Sequence, residues 1–357
     1  MHAVTWRLAV AECVWSYEWI LPGVLAKSPM PRRVNLGEVV SLFKCVVNLA
    51  EDAELHYDPS ELTEKGVRVL RRPIRDFSAP NLVDLQEVVE FIDACEKPVL
   101  VHCYSGYGRS GTIVAAYLVA TQGYMCEDAL SRVSGVETEG QERIVKLYSR
   151  LIRAVSRRLL TRVIELGNSI PRAYGGSVFG RGVGHASKVL ELVVELASEL
   201  EGVGLVKLNS EVERALYVAA LLHDIGVCLL RPSEPDDLHR EYSYKLILKH
   251  GRELDEACEC RVAETAALIA RSHGTSDPVP EDASRELQVA IGIIRVADGL
   301  DYALNQAVKC VRVEYSGGKL VISTVCTSKR NCSMSINKAN KKKRLLEFAL
   351  GVPIVVE

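Results

Sequence analysis

The 357 residues contain no apolar run approaching the roughly 18 that a membrane-spanning helix needs, so no membrane partner is expected. A large charge imbalance is also missing. Forty-four Lys and Arg stand against 46 Asp and Glu, a formal net charge of −2, which gives no global pull towards nucleic acid. The eleven cysteines are irregularly spaced and include no Cys-x2-Cys pair. An uninterrupted apolar start is lacking too: Arg7 and Glu12 break it, so no signal peptide is expected. What is present is an ordinary globular composition, 48% hydrophobic and 25% charged, long enough for two cores and a small appendage.

The stretch 99–112 reads VLVHCYSGYGRSGT. A short apolar run ends in Cys103, passes through two glycines, and enters an apolar helical pattern from Thr112. A strand, a glycine-permitted loop and a helix start aim backbone N–H groups at one point and so bind an oxyanion. Arg109 can clamp two phosphate oxygens, and the same positive field favours Cys103 as a thiolate nucleophile. This Cys-x5-Arg-Ser pattern resembles the phosphate loop of the protein tyrosine phosphatase superfamily, in its dual-specificity branch. The resemblance implies attack by Cys103, phosphoryl binding by Arg109, and stabilisation of the departing thiolate by Ser110. The implied loop comprises His102, Tyr104, Ser105, Gly106, Tyr107, Gly108 and Gly111. A thiolate nucleophile suits a reducing cytosol, so a cytoplasmic location is expected, with bridges among the other cysteines left open.

Around this loop, residues 15–50 read as a β-rich lead-in with strands over 15–21 and 39–49, and 66–70 as a further strand. Asp76, in a short loop ending at Pro80, resembles the family's general acid, which must protonate a poor leaving group. Asp84 reads instead as a first-turn residue of a helix over 82–95. A second helix is expected near 126–133, and one long helix over 137–166. Gln141 matches a glutamine that positions water in related phosphatases. The glycine-rich stretch 168–184 reads as a domain boundary.

From 185 to about 308 the pattern is almost wholly helical, with His185, the pair His223-Asp224 and Asp298 each on its own apolar helix. An imidazole and a carboxylate side by side at a helix end can reach one divalent ion. The ordered set resembles the HD-domain metal-dependent phosphohydrolases, with those four residues as ligands. His239 and His273 fall where two-metal members carry extra histidines. Val227 stands where several active subfamilies have Lys or Arg, which removes a cation for substrate phosphate. The tail 309–357 reads as strand, Gly-Gly turn, strand, and a helix over about 335–350. With the preceding helices it resembles the C-terminal part of the exopolyphosphatase and guanosine pentaphosphatase family. The basic run 341–344 reads as the solvated face of the last helix, with a polyanion contact as the alternative.

The expected architecture is therefore multidomain. An α/β phosphatase domain (1–167), with a central mostly parallel sheet flanked by helices, precedes a linker (168–184). An all-α HD domain (185–308) and a small α+β appendage (309–357) follow. The expected function is a two-module phosphohydrolase: a Cys-dependent phosphomonoesterase of phosphotyrosine type, joined to an HD site that binds one or two divalent ions and hydrolyses a phosphoester or nucleotide. The metal is not distinguished among Mn, Ni, Fe, Zn and Mg. The alternative is a single Cys-dependent phosphatase whose HD domain senses a nucleotide or docks a partner. Expected partners are a phosphorylated protein or small phosphoester, with a nucleotide and a homodimer as options. Tyr104, Ser105 and Tyr107 stand where lipid phosphatases of the superfamily carry lysines, which favours a singly phosphorylated group.

Overall fold

A computed structural model describes residues 15–357. Arg7, Glu12 and Cys13, and with them the signal-peptide expectation, lie outside the described residues. The chain divides into two compact units, one comprising the described residues up to Pro80 with Val88–Glu142, the other Asn81–Glu87 with Arg143–Glu357.

In the first unit the elements are β1 (Glu18–Leu21), β2 (Leu25–Ser28), α1 (Leu36–Leu42), β3 (Cys45–Asn48), α2 (Ser60–Thr63), β4 (Arg68–Arg71), α3 (Leu82–Ala94), β5 (Val99–His102), α4 (Gly108–Gln122), α5 (Cys126–Arg132) and α6 (Glu139–Ala154), the division falling inside α3 and α6. The sheet order is β1-β2-β5-β3-β4, and every pairing except β1 with β2 is parallel. All four residues of β2, β3 and β5 are buried, the signature of strands covered on both faces. The stretch expected as one strand over 39–49 is instead α1 followed by β3. Leu36, Val39 and Phe43 are spaced to share one helical face and are buried, while Glu38 and Ser41 face water. α4 begins at Gly108 rather than Thr112, which puts Arg109 and Ser110 in its first turn.

The second unit continues with α7 (Arg157–Ser169), α8 (Val183–Gly202), α9 (Ser210–Leu222), α10 (His239–Lys249), α11 (Gly251–Cys258), α12 (Ala263–Arg271) and α13 (Arg285–Leu300). The helix expected across 137–166 is broken between α6 and α7, because the Ser156 hydroxyl accepts the Leu159 N–H and starts a new helix. α13 is buried along almost its whole length from Val289 to Leu300 and forms the centre of this unit. A three-stranded sheet follows, with β6 (Val308–Ser316) antiparallel to β7 (Lys319–Cys326), and β7 parallel to β8 (Ile354–Val356). The predicted last helix starts earlier and is two helices, α14 (Lys329–Lys342) and α15 (Arg344–Leu350), meeting at Lys343. Among the described residues no helix is long and apolar enough to cross a membrane. Disulfides join Cys45 to Cys95, Cys258 to Cys260 and Cys326 to Cys332, and Cys103 lies outside these bridges.

Candidate functional sites

β5 lies in the middle of the first sheet, and its carboxyl end delivers Cys103 to the sheet edge where ligands bind in such folds. The Cys103 Sγ accepts the Gly106 N–H at 3.3 Å, donates to the Tyr107 carbonyl at 3.3 Å and lies 3.6 Å from the Ser110 Oγ. Only glycine fits at 106, where φ is +81° and a Cβ would fall 2.4 Å from the Pro29 nitrogen. Lys27, buried, donates to the Gly106 carbonyl at 3.1 Å and pairs with Glu18 at 3.1 Å. Tyr104, Ser105 and Tyr107 face solvent at the rim, and Gly108 and Gly111 lie buried in the floor.

His102 anchors the loop from behind. Its Nδ1–H donates to the Cys103 carbonyl at 3.1 Å, so its Nε2 accepts the Tyr57 hydroxyl at 2.8 Å, and Asn48 donates to that same hydroxyl. Burial holds the His102 imidazole down at about 4 and pushes the Tyr57 phenol up, so the chain of bonds stays neutral at physiological pH.

Arg109 is 1% exposed. Its Nη1 and Nη2 grip the two carboxylate oxygens of Glu54 at 2.6 and 2.9 Å, Nη1 also reaches the Ile74 carbonyl, and Nη2 lies 3.0 Å from Asp76 Oδ1. The bond to Arg109 holds the Glu54 carboxyl below its ordinary value. Asp76 is half-exposed, beside the nucleophile's own loop. Asp84, by contrast, is a first-turn residue of α3 bonded to Asn81. Gln141 is fully buried, accepts the Glu137 and Thr138 N–H groups, and donates to the Ser78 carbonyl at 3.1 Å. Its amide thus braces the loop that carries Asp76. Glu54 is not apparent in the sequence, where it is one of several acids in a short turn.

In the second unit, five predicted residues gather around the carboxylate of a sixth, Asp224. Asp224 Oδ2 lies 3.5 Å from the Nε2 atoms of both His185 and His223, and Asp298 Oδ1 lies 3.5 and 3.8 Å from the same two nitrogens. Asp224 Oδ1 faces the other way, 3.0 Å from His239 Nε2 and 3.6 Å from His273 Nε2. Two groups able to hold a metal ion therefore share Asp224. Every Nδ1 is already committed: His185 to Asp301 at 2.9 Å, His223 to the Ala220 carbonyl, His239 to the Asp236 carbonyl and His273 to the Ala270 carbonyl. With every Nδ1 so engaged, all four Nε2 atoms converge on the cluster, the outer-sphere arrangement of metal-ligating histidines. Burial opposes ionisation of Asp224, but the His223 imidazole and hydrogen bonds from His185 and His239 outweigh it and hold the carboxyl well below its usual range. Burial likewise works against His185, whose bonds to Asp224, Asp298 and Asp301 push it up to about 11. The cluster draws positive charge to its centre, and a mixed imidazole–carboxylate set of this kind fits first-row divalent ions.

Two further cations enter this pocket. Arg181 Nε contacts Asp224 Oδ2 at 2.9 Å, and its Nη2 grips both oxygens of Asp236. The segment carrying it lies directly on the His-Asp motif. Gly180 has φ +87° and a Cβ there would fall 1.8 Å from the Asp224 carbonyl oxygen. Lys342 corrects the expectation of a solvated basic run: it is buried, and its Nζ donates to Asp298 Oδ2 and to the His273 carbonyl, the latter at 3.1 Å. The signal for Arg181 is its place between two glycines, Gly180 and Gly182; nothing in the run 341–344 singles out Lys342.

Residues 39–123 match the family model "Polymorphic toxin system, DSP-PTPase phosphatase", and residues 182–303 match the model "HD domain". The chain is 31% identical over 126 residues to phosphatidylglycerophosphatase and protein-tyrosine phosphatase 1 of Mus musculus, a match covering 33% of this chain and 64% of that protein. It is 33% identical over 95 residues to dual specificity protein phosphatase 22 of Xenopus tropicalis, covering 26% and 45%. The chain thus spans less than two thirds of the length of these curated relatives. Among solved structures it is similar to Tk-PTP in the active form, at 38% identity over 38% of this chain and 96% of that one, with a TM-score of 0.36. The resemblance to the exopolyphosphatase and guanosine pentaphosphatase family rests on the sequence alone.

Proposed function

We propose that this chain, which joins a dual-specificity-type phosphatase domain to an HD domain, is a two-module phosphohydrolase. The first module cleaves phosphomonoesters through a phosphocysteine. The observation that carries this reading is that Arg109, six residues after Cys103 in the same loop, holds the Asp76 carboxylate 3.0 Å from its Nη2. A phosphoryl group taking the outer edge of that guanidinium displaces Asp76, while Glu54 and Ile74 keep the inner edge fixed. Cys103 Sγ then forms the bond to phosphorus as the P–O bond to the leaving group breaks, and protonated Asp76 supplies the proton to that oxygen. In the second step water attacks phosphorus, Asp76 takes its proton, and the Cys103 thiolate leaves with a hydrogen bond from Ser110. The name of the mouse relative joins a phosphatidylglycerophosphatase to a protein-tyrosine phosphatase, both acting on phosphomonoesters, and this module is assigned that class. p-Nitrophenyl phosphate turnover tests it: Cys103→Ser abolishes the activity, and unchanged turnover refutes the reading.

The second module is a metal-dependent phosphohydrolase. His185, His223, Asp224 and Asp298 would hold one divalent ion, and Asp224, His239 and His273 a second. Ions there would supply Lewis-acid polarisation of a phosphoester and an acidified water. The protein's part is to hold the four imidazoles by their Nδ1 atoms and to share one carboxylate between the two positions. Arg181 and Lys342 provide the positive charge that Val227 cannot, which favours an active module over a sensing one. Elemental analysis of the purified protein against Asp224→Ala tests this part. Absence of bound metal, even after supplying Mn, Ni, Fe or Zn, overturns it.

A further inference from the structure

Cys258 is the last residue of α11 and Cys260 follows two positions later, so their bridge closes a ring around a single residue, Glu259. Glu259 caps the helix in the left-handed region, at φ +56°, with its N–H on the Asp255 carbonyl, and this turn sets the two cysteine Cα atoms 5.0 Å apart. The turn is fixed on its far side as well. The Cys260 N–H donates to the same Asp255 carbonyl at 3.3 Å, and the Asp255 carboxylate accepts the Val262 and Ala263 N–H groups at the start of α12 at 2.8 and 2.9 Å. As a staple this bridge does little. Closing so short a loop removes far less disorder from the unfolded chain than the Cys45–Cys95 bridge, whose partners are 50 residues apart. Of the three bridges among the described residues, it is also the one with both cysteines partly exposed, since Cys45, Cys95 and Cys332 are buried. We propose that Cys258–Cys260 is a thiol–disulfide exchange centre that takes two electrons from a dithiol.

The electrostatics of the two sulfurs are unequal. Arg214, on α9, places its Nη1 3.2 Å from the Cys260 Sγ and is itself set by its Nε bond to the Ala154 carbonyl at 2.9 Å. A guanidinium at that distance stabilises a Cys260 thiolate. Cys258 stands at the carboxyl end of α11, where the helix dipole opposes an anion. Cys260 is therefore the better leaving group, and Cys258 is the sulfur open to attack. One thiolate of the dithiol forms a bond to the Cys258 sulfur as the bridge breaks, and the electron pair of the broken bond leaves on Cys260 beside Arg214. The second thiolate of the dithiol then attacks the dithiol's own sulfur in the mixed disulfide and releases Cys258. The protein pair gains two electrons and the dithiol becomes a disulfide. One of the dithiol's two protons ends on Cys258, and the other goes to solvent while Cys260 stays a thiolate.

The test follows the bridges of the full, folded chain during timed exposure to dithiothreitol, with alkylation and peptide mapping at each time. The expected result is reduction of Cys258–Cys260 about tenfold faster than Cys326–Cys332. Arg214→Ala should slow that step about fivefold, and Arg214→Lys, which keeps a cation, should slow it less. A second measurement reads the asymmetry directly. In Cys258→Ser the remaining Cys260 should react with iodoacetamide at pH 7 about fivefold faster than the remaining Cys258 does in Cys260→Ser. Circular dichroism checks that each variant folds as the parent does; should Arg214→Ala fail to fold, the parent's bridge rates and the two serine variants decide. The exchange centre is overturned by similar reduction rates for the two bridges, by a rate indifferent to Arg214, by equal alkylation of the two single thiols, or by failure of the pair to form its bridge in oxidised glutathione.

Discussion

Replacing Glu54 by Gln removes the charge that holds Arg109 while keeping one acceptor oxygen. Removing one partner of a buried ion pair costs about 3–5 kcal/mol. Here the Glu54 side chain is 19% exposed, Asp76 and the Ile74 carbonyl still bond the guanidinium, and Gln can take one of the two bonds. The expected loss is therefore smaller, about 2 kcal/mol. With a urea slope near 2 kcal/mol per molar, the midpoint moves down by about 1 M. Tryptophan fluorescence reads this unit, since Trp15 and Trp19, the tryptophans among the described residues, both lie in it. Trp15 is buried in the core of the first unit, with its indole N–H on the Pro29 carbonyl. The effect also has a pH signature. Glu54 titrates below its ordinary 4.5 when folded, so the stabilisation is complete above that value and is lost as pH falls through the folded one. The difference between parent and variant should therefore narrow as pH is lowered from 7 to 4. Contributions common to both proteins cancel in that difference. A gap that is the same at both pH values, or no gap at pH 7, refutes the argument that the Glu54 charge fixes Arg109.

Asp76→Asn should lower kcat about 10²-fold on an alkyl phosphate, in line with loss of a general acid, and far less on p-nitrophenyl phosphate, whose leaving group needs no proton; equal losses on both substrates would contradict the assignment. His102 is held at about 4 in the native state, so its unfolded form alone takes up a proton as pH falls from 6.5. The first unit should lose up to about 3 kcal/mol of stability between pH 6.5 and pH 4, with full stability above that window, and urea titrations of parent and His102→Gln at several pH values measure it. Elemental analysis should find that Asp224→Ala loses all bound metal, while His239→Ala loses at most one equivalent; complete loss in both would argue against two positions. Gly106→Ala should abolish turnover and lower the urea midpoint, because its Cβ has no room beside Pro29; an active variant would show that the loop has another arrangement.

Both candidate sites are legible because each is written as a local pattern. Cys103, Arg109 and Ser110 sit within one loop and helix start, and His223 and Asp224 are adjacent residues. The histidines His185, His239 and His273 are readable because each lies at the end of a recognisable helix. The residues that are not legible act across long sequence separations. Glu54 is 55 residues from Arg109, and Lys342 is 44 residues from Asp298. Nothing local distinguishes Glu54 from Glu51 or Asp52, and nothing separates Lys342 from its basic neighbours on α14 until that helix is laid against Gly299. The lead-in departs from expectation for a different reason: the apolar spacing of Leu36, Val39 and Phe43 is short enough to suit either a helix or a strand, and burial on one face decides it.

The carboxylate of Asp224 is a rigid plate about a single torsion, with one oxygen committed to each histidine pair. Any rotation that improves its reach towards His185 and His223 swings the opposite oxygen relative to His239 and His273. On the two-ion reading proposed above, the two positions cannot be tuned one at a time: a carboxylate turned towards one ion would present the other with a changed donor, so filling one position would alter the affinity of its neighbour through a single moving part.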